Sequence, residues 1–299
     1  MDRHKQLYLY LNERQRQTVA AGQGGMIGQV KAAVTAAGWP VVMLPEAARE
    51  AAAQVDGYHL VLNAEVPGPF ALSLRKCYLD PFWRIEDRND RWAAEVGRRP
   101  FDPAKVNAGR AAAFRDRWRD VLFMDQAIRR DGHIFVPLQG KPLRHRSFQS
   151  MSPLDMLRAT LAADLRPVVA TLHPAETYTD EDRAALADLA QKQPQFTLSD
   201  RPSIDLLASC DLVVTQNSSM ALTGFFADKP AVLFAQADFH HIAGSVPRQG
   251  VAGAFAQAGL PATFAPFLFW FFKWNAITSW AEDVDAQIIA RLRQHGWPL

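Results

Sequence analysis

The chain has 299 residues, 48% of them hydrophobic and 21% charged, and its 33 basic and 31 acidic side chains leave a formal net charge of +2. That balance excludes disorder, a collagen-like repeat and a disulfide scaffold, and nothing in it advertises nucleic acid as a partner. At roughly 100–200 residues per domain, the length predicts two domains or one large one. Arginine outnumbers lysine 25 to 8, and arginine is the better fork for phosphates and carboxylates. Two cysteines, Cys77 and Cys210, are too few for a disulfide framework and too far apart for a zinc knuckle, so the cytoplasm is the expected compartment. Met1–Arg16 has no long apolar h-region, and no secretory signal is expected.

In chain order, the first half predicts strands at Gln6–Asn12, Pro40–Leu44 and His59–Ala64. Gly22-Gln23-Gly24-Gly25 lies between the first two, ahead of an apolar-periodic stretch ending at Gly38, which reads as strand, glycine turn, helix, strand. A plain turn and an acceptor-side ligand loop are both open for these glycines. Their spacing is not the dinucleotide fingerprint. From Cys77 to about Arg130, tryptophans (Trp83, Trp92, Trp118) and arginines (Arg110, Arg115, Arg117, Arg119) cluster, and helices and loops are expected without a strand.

The second half alternates more cleanly. Strands are expected at His133–Leu138, Pro167–Leu172, Phe196–Leu198, Asp211–Thr215 and Ala231–Ala235, and helices at Pro153–Ala163, Asp180–Gln191, Ile204–Ser209 and Met220–Ala227. The strands are apolar without polar alternation, as in a parallel sheet covered on both faces. A loop rich in Ala, Gly and His then leads to an aromatic run, Phe264–Trp274, and a last helix near Asp283–Arg293. The expected architecture is α/β: two Rossmann-like domains facing each other across a cleft. Residues 1–131 form the N-terminal, acceptor-side domain and 132–299 the C-terminal, nucleotide-binding one, with the boundary near Asp131 and the last helices packing back on the first domain.

Candidate chemistry gathers where strands of the second half end, the edge at which open α/β sheets bind ligands. His173-Pro174 follows one strand, and Pro174 biases His173 toward extended backbone that presents the imidazole. Asn217-Ser218-Ser219 follows another and precedes a helix. One serine suffices for an ordinary N-cap, and the second, with Asn217, favours an anion. Gln139-Gly140 ends a third strand, with Arg144, His145 and Arg146 downstream as candidate anion partners or solvated loop charges. His240-His241 lies in a fourth loop, where Asp238 is the only nearby carboxylate, so no metal site is expected. Neither a Gly-x-Ser-x-Gly elbow nor a Walker A loop is present.

Taken together, Val136-Pro137-Leu138-Gln139, Leu172-His173-Pro174, the run from Cys210 to Ser219, and Asp228-Lys229-Pro230-Ala231-Val232 resemble the capsule polysaccharide biosynthesis proteins, a family that includes the bacterial β-Kdo transferases. Phe269-Trp270-Phe271 and Arg291-Leu292-Arg293 with Gly296-Trp297 are similar to that family's C-terminus, so the resemblance covers roughly residues 133–299. It implies a GT-B fold whose C-terminal domain binds a nucleotide sugar, with His173 and Pro174 on the nucleotide and Ser218 and Ser219 on its phosphate. Similar pairs in bacterial sialyltransferases of this fold point to a CMP-linked donor. The implied partners are that donor and a glycan or glycolipid acceptor, and no cofactor or metal is called for.

One departure stands out. In the Kdo transferases the loop glutamine is followed closely by acids, one of them a candidate base, whereas Gln139 precedes Gly140-Lys141-Pro142-Leu143-Arg144. An inverting transfer needs a group to take the acceptor proton, so the catalytic residue is open, with Glu13, Asp80, Glu86 and Asp87 as substitutes. The missing acid also leaves open a non-catalytic nucleotide- or glycan-binding partner of the capsule machinery, and because the GT-B fold hosts other activities, a sugar-nucleotide epimerase or hydrolase is a third reading. The aromatic run is too short to span a bilayer. Only Lys273 supplies a positive charge for a membrane-interface anchor, so peripheral membrane contact is disfavoured and burial of most of Phe269–Trp274 is expected.

Overall fold

The apolar runs of the second half do form a sheet that is parallel throughout. The structure, a computed structural model, describes residues 3–124 and 126–299. Of the remaining three, Met1 and Asp2 belong to the stretch read for a leader and Asp125 to the tryptophan-rich excursion, and those readings lie outside the described residues there. The chain divides into two units: Met1–Val96 with Phe271–Leu299, and Gly97–Trp270.

In the first unit, β1 (Leu7–Leu11), β2 (Val41–Pro45), β3 (Tyr58–Leu62) and β4 (Ala71–Lys76) are parallel in the order β2-β1-β3-β4. β5 (Phe82–Glu86) and then Ile277–Thr278 extend the sheet antiparallel. The sequence reading missed β4 and β5. The reason is that their alternation runs through charged side chains that are buried, Arg75, Arg84 and Glu86, whereas charge normally marks an exposed face. Arg84 escapes solvent because its guanidinium lies 4.3 Å from the centre of the Phe271 ring and its Nε donates to the Asn275 carbonyl at 3.2 Å.

The glycine-turn reading is also corrected. Asn12 forms a capping box with Gln15 directly after β1, so a helix, Glu13–Ala20, starts there, and Gly22 to Gly25 turn between it and the helix Gly25–Ala36. Gly22 and Gly25 have φ of 75° and 51°, a conformation other residues adopt reluctantly. The final helix, Val284–Gln294, buries Ile288 and Leu292 in the core of this unit, and Trp297 packs on Tyr58 and Trp39, with ring centres 5.1 and 6.3 Å apart.

In the second unit, β6 (Ile134–Pro137), β7 (Val168–Thr171), β8 (Phe196–Leu198), β9 (Leu212–Thr215), β10 (Ala231–Leu233) and β11 (Gly244–Ser245) lie in the order β11-β10-β9-β6-β7-β8, every neighbouring pair parallel. The chain runs outward from β6 to β8, then returns to the other side of β6 as β9. The switch point is thus between β6 and β9. Helices Pro153–Ala163, Asp180–Lys192, Ser203–Ser209 and Ser219–Phe225 match expectation within two residues, whereas Val246–Ala258 was read as loop. Its pattern is broken by Gly250, whose φ of 68° interrupts the helix.

Of the aromatic run, Phe267 to Phe272 are buried, Lys273 is exposed and Trp274 is 47% exposed. Phe267 packs on Phe101 and Phe225, and Phe269 on Phe114, in the second unit; Phe271 and Phe272 pack on Tyr78 and Phe82 in the first. Among the described residues no helix is long and apolar enough to cross a membrane.

His59 is held in the first unit between the rings of Tyr8 and Tyr10. Its Nε2 donates to the Val55 carbonyl (3.2 Å), and its Nδ1 accepts from the Tyr10 hydroxyl (2.9 Å). Burial pushes its pKa down, and burial moves His133 and His240 the same way. The unfolded chain therefore takes these protons before the folded one does. This contribution to stability is whole above the unfolded histidine pKa of about 6.5 and is lost as pH falls toward the folded values. Thermal denaturation should show Tm falling between about pH 7.5 and about pH 5.5, with a shallower fall in His59→Gln.

Candidate functional site

Strand order decides which loops meet. At the carboxyl edge of the second sheet the loops after β7, β6, β9 and β10 are consecutive neighbours. They carry His173, Gln139, Asn217 to Ser219, and Gln236 respectively, so loops whose residues lie 17 to 97 positions apart in sequence share one edge. The ladder between β6 and β7 continues to Pro137 opposite Thr171, and that between β9 and β10 to Thr215 opposite Leu233. The ladder between β6 and β9 stops at Phe135 opposite Val213. Pro137 has no N–H to continue it, and the Thr215 hydroxyl bonds the Pro137 carbonyl at 3.3 Å. The backbone ladder between the two central strands thus ends before the strands do, at the switch point where open α/β sheets bind ligands.

Within that edge each side chain has a defined setting. His173 is exposed, its N–H donates to the Tyr178 hydroxyl (2.9 Å), and its Nδ1 accepts from the Ala175 N–H (3.2 Å). The proton of the neutral ring is then on Nε2, which is presented as a donor. Pro174 is exposed beside it in the turn. Asn217 donates through Nδ2 to the Gln236 carbonyl at 3.0 Å, tying the β9 loop to the β10 loop. Ser218 is the N-cap of the helix Ser219–Phe225, its hydroxyl accepting from the Met220 N–H at 3.3 Å. Ser219 is exposed, and among the described residues its hydroxyl has no partner. The two serines therefore divide the work: one terminates the helix, and the other is left for a ligand.

Several buried polar atoms at this edge lack protein partners. Gln139 Oε1, Gln216 Oε1, Gln149 Nε2, and the Nε and one Nη of Arg146 are all shielded from solvent without a hydrogen bond. Gln149 and Gln216 are 5% and 1% exposed, fixed by Arg146 N–H to Gln149 Oε1 (2.8 Å) and by Gln216 Nε2 to the Met151 carbonyl (3.1 Å). An unsatisfied buried polar group costs about 1–3 kcal/mol, and native structures hold few of them. Such a concentration marks a surface built for polar ligand atoms. Arg146 also stacks on Phe148, 4.9 Å from the ring centre, and burial lowers its pKa while Glu176 opposes the shift. Sequence reasoning named Arg146 only as one of three loop charges, had Gln216 only as a member of the run from Cys210 to Ser219, and did not find Gln149 or Glu176. Gln149 carries no motif, while Glu176, three residues after His173, was legible as an acid in the His-Pro turn.

The other candidates lie elsewhere. Glu13, Asp80 and Asp87 pair with Arg16, Lys76 and Arg88 in the first unit, and Glu86, 2% exposed, accepts from the Glu95 N–H at 3.1 Å. His240 and His241 stack with ring centres 4.4 Å apart, their ring nitrogens bonded to the Ala237 and Arg99 carbonyls. Among the described residues no group of three or more His, Cys, Asp or Glu side chains could hold a metal ion.

No family model matches the chain, and no curated protein does. Among solved structures, KpsC of Thermosulfurimonas dismutans, a β-Kdo 2,7 transferase, is similar with a TM-score of 0.50 at 12% identity over 97% of this chain and 99% of that one. The β-Kdo 2,4 transferase of KpsC from the same organism gives 0.47 at 11% identity over 89% and 90%. A variant of the wall teichoic acid polymerase TagF gives 0.30 at 11% over 97% and 89%. At these identities the likeness is one of fold. This is a mixed α/β chain with two largely parallel sheets, matching the GT-B-like fold.

The division between the serines has a measurable consequence. Ser218→Ala should cost about 0.5–2 kcal/mol of stability through loss of the cap. Ser219→Ala should stay within about 0.5 kcal/mol of the parent, as a surface change does. Urea denaturation of both variants checks this.

Proposed function

We propose that the chain is a glycosyltransferase of capsule or other surface polysaccharide synthesis that takes its sugar from a CMP-linked donor, CMP-Kdo by preference, and passes it to a glycan or glycolipid acceptor. The observation that carries this reading is the cluster of buried, unpartnered polar atoms on Gln139, Arg146, Gln149 and Gln216, at the switch point that also gathers His173 and Ser219. The fold shared with a β-Kdo transferase supports it, and so does the resemblance of residues 133–299 to the capsule family. Nucleotide sugars are made in the cytoplasm, which is where such an enzyme would work.

In this reading Gln139 and Gln216 accept from polar groups of the nucleotide, and His173 Nε2–H and the Ser219 hydroxyl donate to its phosphate. Charge grows on that phosphate as the bond to the sugar breaks. Donors fixed there beforehand stabilise the leaving group without reorganising, which is where an enzyme gains most. Pro174 and the Tyr178 hydroxyl hold the His173 turn, and Asn217 holds the serine loop against the β10 loop.

Isothermal titration with CMP, UDP and GDP tests the reading. CMP should bind more tightly than the other two. A hydrogen bond to a charged group is worth about 1.5–3 kcal/mol, so Ser219→Ala and His173→Ala should each weaken CMP about tenfold or more. Equal, unchanged affinity in both variants would remove the phosphate assignment. No binding of any of the three would remove the reading itself.

A further inference from the structure

The loop after Gln139 carries no acid, but the structure brings one to it. Glu176 closes the turn that begins at His173, its N–H donating to the His173 carbonyl at 3.2 Å. Its side chain lies directly over Gly140, so that a Cβ at position 140 would overlap the Glu176 carboxylate. Gly140 has no positive φ, so backbone conformation does not explain the glycine. The space taken by Glu176 does. One residue past Gln139, on the central strand's loop, the absent side chain is thus replaced by a carboxylate reaching across from the β7 loop.

The surroundings set a cation near the carboxylate. Glu176 is exposed, and the half-buried guanidinium of Arg146, two of whose nitrogens lack protein partners, is electrostatically coupled to it. His173 and Glu176 are fixed in one turn, so a phosphate held by His173 places the scissile bond beside that turn. By contrast, Glu13, Asp80 and Asp87 are paired with cations of their own, and Glu86 is buried.

Resting on the transferase reading above, we infer that Glu176 is the catalytic base, supplied by the His-Pro turn and seated over Gly140. The acceptor oxygen bonds to the anomeric carbon, and the bond from that carbon to the phosphate oxygen breaks with its electron pair on the phosphate. The acceptor hydroxyl proton passes to the Glu176 carboxylate. Nothing is oxidised or reduced, and the proton leaves to solvent after release.

The test uses the full chain with CMP-Kdo as donor and a synthetic β-Kdo glycoside as acceptor, following CMP release and product mass, with CMP affinity measured in parallel. General-base removal costs about 10²–10⁴ in rate. Glu176→Gln should therefore lower kcat at least about 100-fold and abolish the acidic limb of its pH profile, with CMP affinity within about threefold of the parent. Gly140→Ala, whose new Cβ would meet both the carboxylate and the Cβ of Glu176, should also lower kcat while leaving KM for donor and Tm little changed. Turnover by Glu176→Gln within about threefold of the parent overturns the assignment of Glu176 alone. A parent chain that neither binds CMP nor releases it from CMP-Kdo overturns the transferase reading and this inference with it.

Discussion

The early end of the ladder between β6 and β9 is the constraint on which the layout of the second unit's carboxyl edge depends. Parallel strands covered by helices on both faces leave only their ends accessible. A ladder that ran on to the carboxyl end would close even that. Here Pro137 withdraws its donor, the Thr215 hydroxyl takes its carbonyl, and β6 thereafter pairs only with β7. His173, Gln139, Asn217 and Ser219 lie on loops that leave one side or the other of this point. The ladder is ended there by a proline and a threonine that need never touch a ligand.

The opposite end of the same strands is closed by buried charge. Lys229, 1% exposed, donates through Nζ to the carbonyls of Cys210 and Arg129, and Arg130 bonds the carbonyls of Asp211 and Asp228. Burial lowers the Lys229 pKa, a cost accepted because the carbonyls that precede β9 have no strand neighbour to bond. The same sheet thus satisfies its backbone groups at one end with its own cations and leaves polar atoms unsatisfied at the other. That asymmetry, more than any single motif, distinguishes the carboxyl edge.

Much of this was legible in the sequence. The unbroken apolar runs gave β6 to β10 nearly to the residue, and His173, Gln139 and Ser218-Ser219 could be placed at strand ends because turn chemistry follows each run. What periodicity could not reveal was burial of charge. Arg75, Arg84 and Glu86 disguise β4 and β5 as loop because their partners lie outside those strands: Asn63 and the Asn89 carbonyl for Arg75, the Glu95 N–H for Glu86, and for Arg84 the Phe271 ring and the Asn275 carbonyl, about 190 residues away. Glu176 was hidden differently. Its meaning lies in the space above Gly140, and a contact between two loops separated by a whole helix leaves no spacing to read. The helix Glu13–Ala20 was missed for a third reason: the Asn12 capping box starts it directly after β1, whereas the glycines that do turn the chain lie further on.

The aromatic run is where the chain passes from one core to the other, between Trp270 and Phe271. This has a consequence for synthesis on the ribosome. Domains generally fold as units, the N-terminal one first as the chain emerges. Here the second unit is one continuous segment, complete once Trp270 has appeared, whereas the first lacks Phe271, Phe272, Ile277, Ile288, Leu292 and Trp297 until nearly everything else is made. Nascent β1 to β5 must wait, with an open edge at β5 and an uncovered patch around Trp39 and Tyr58, while later-made residues finish their own core. The core of the second unit can thus close before that of the first, the reverse of the order in which the two begin along the chain.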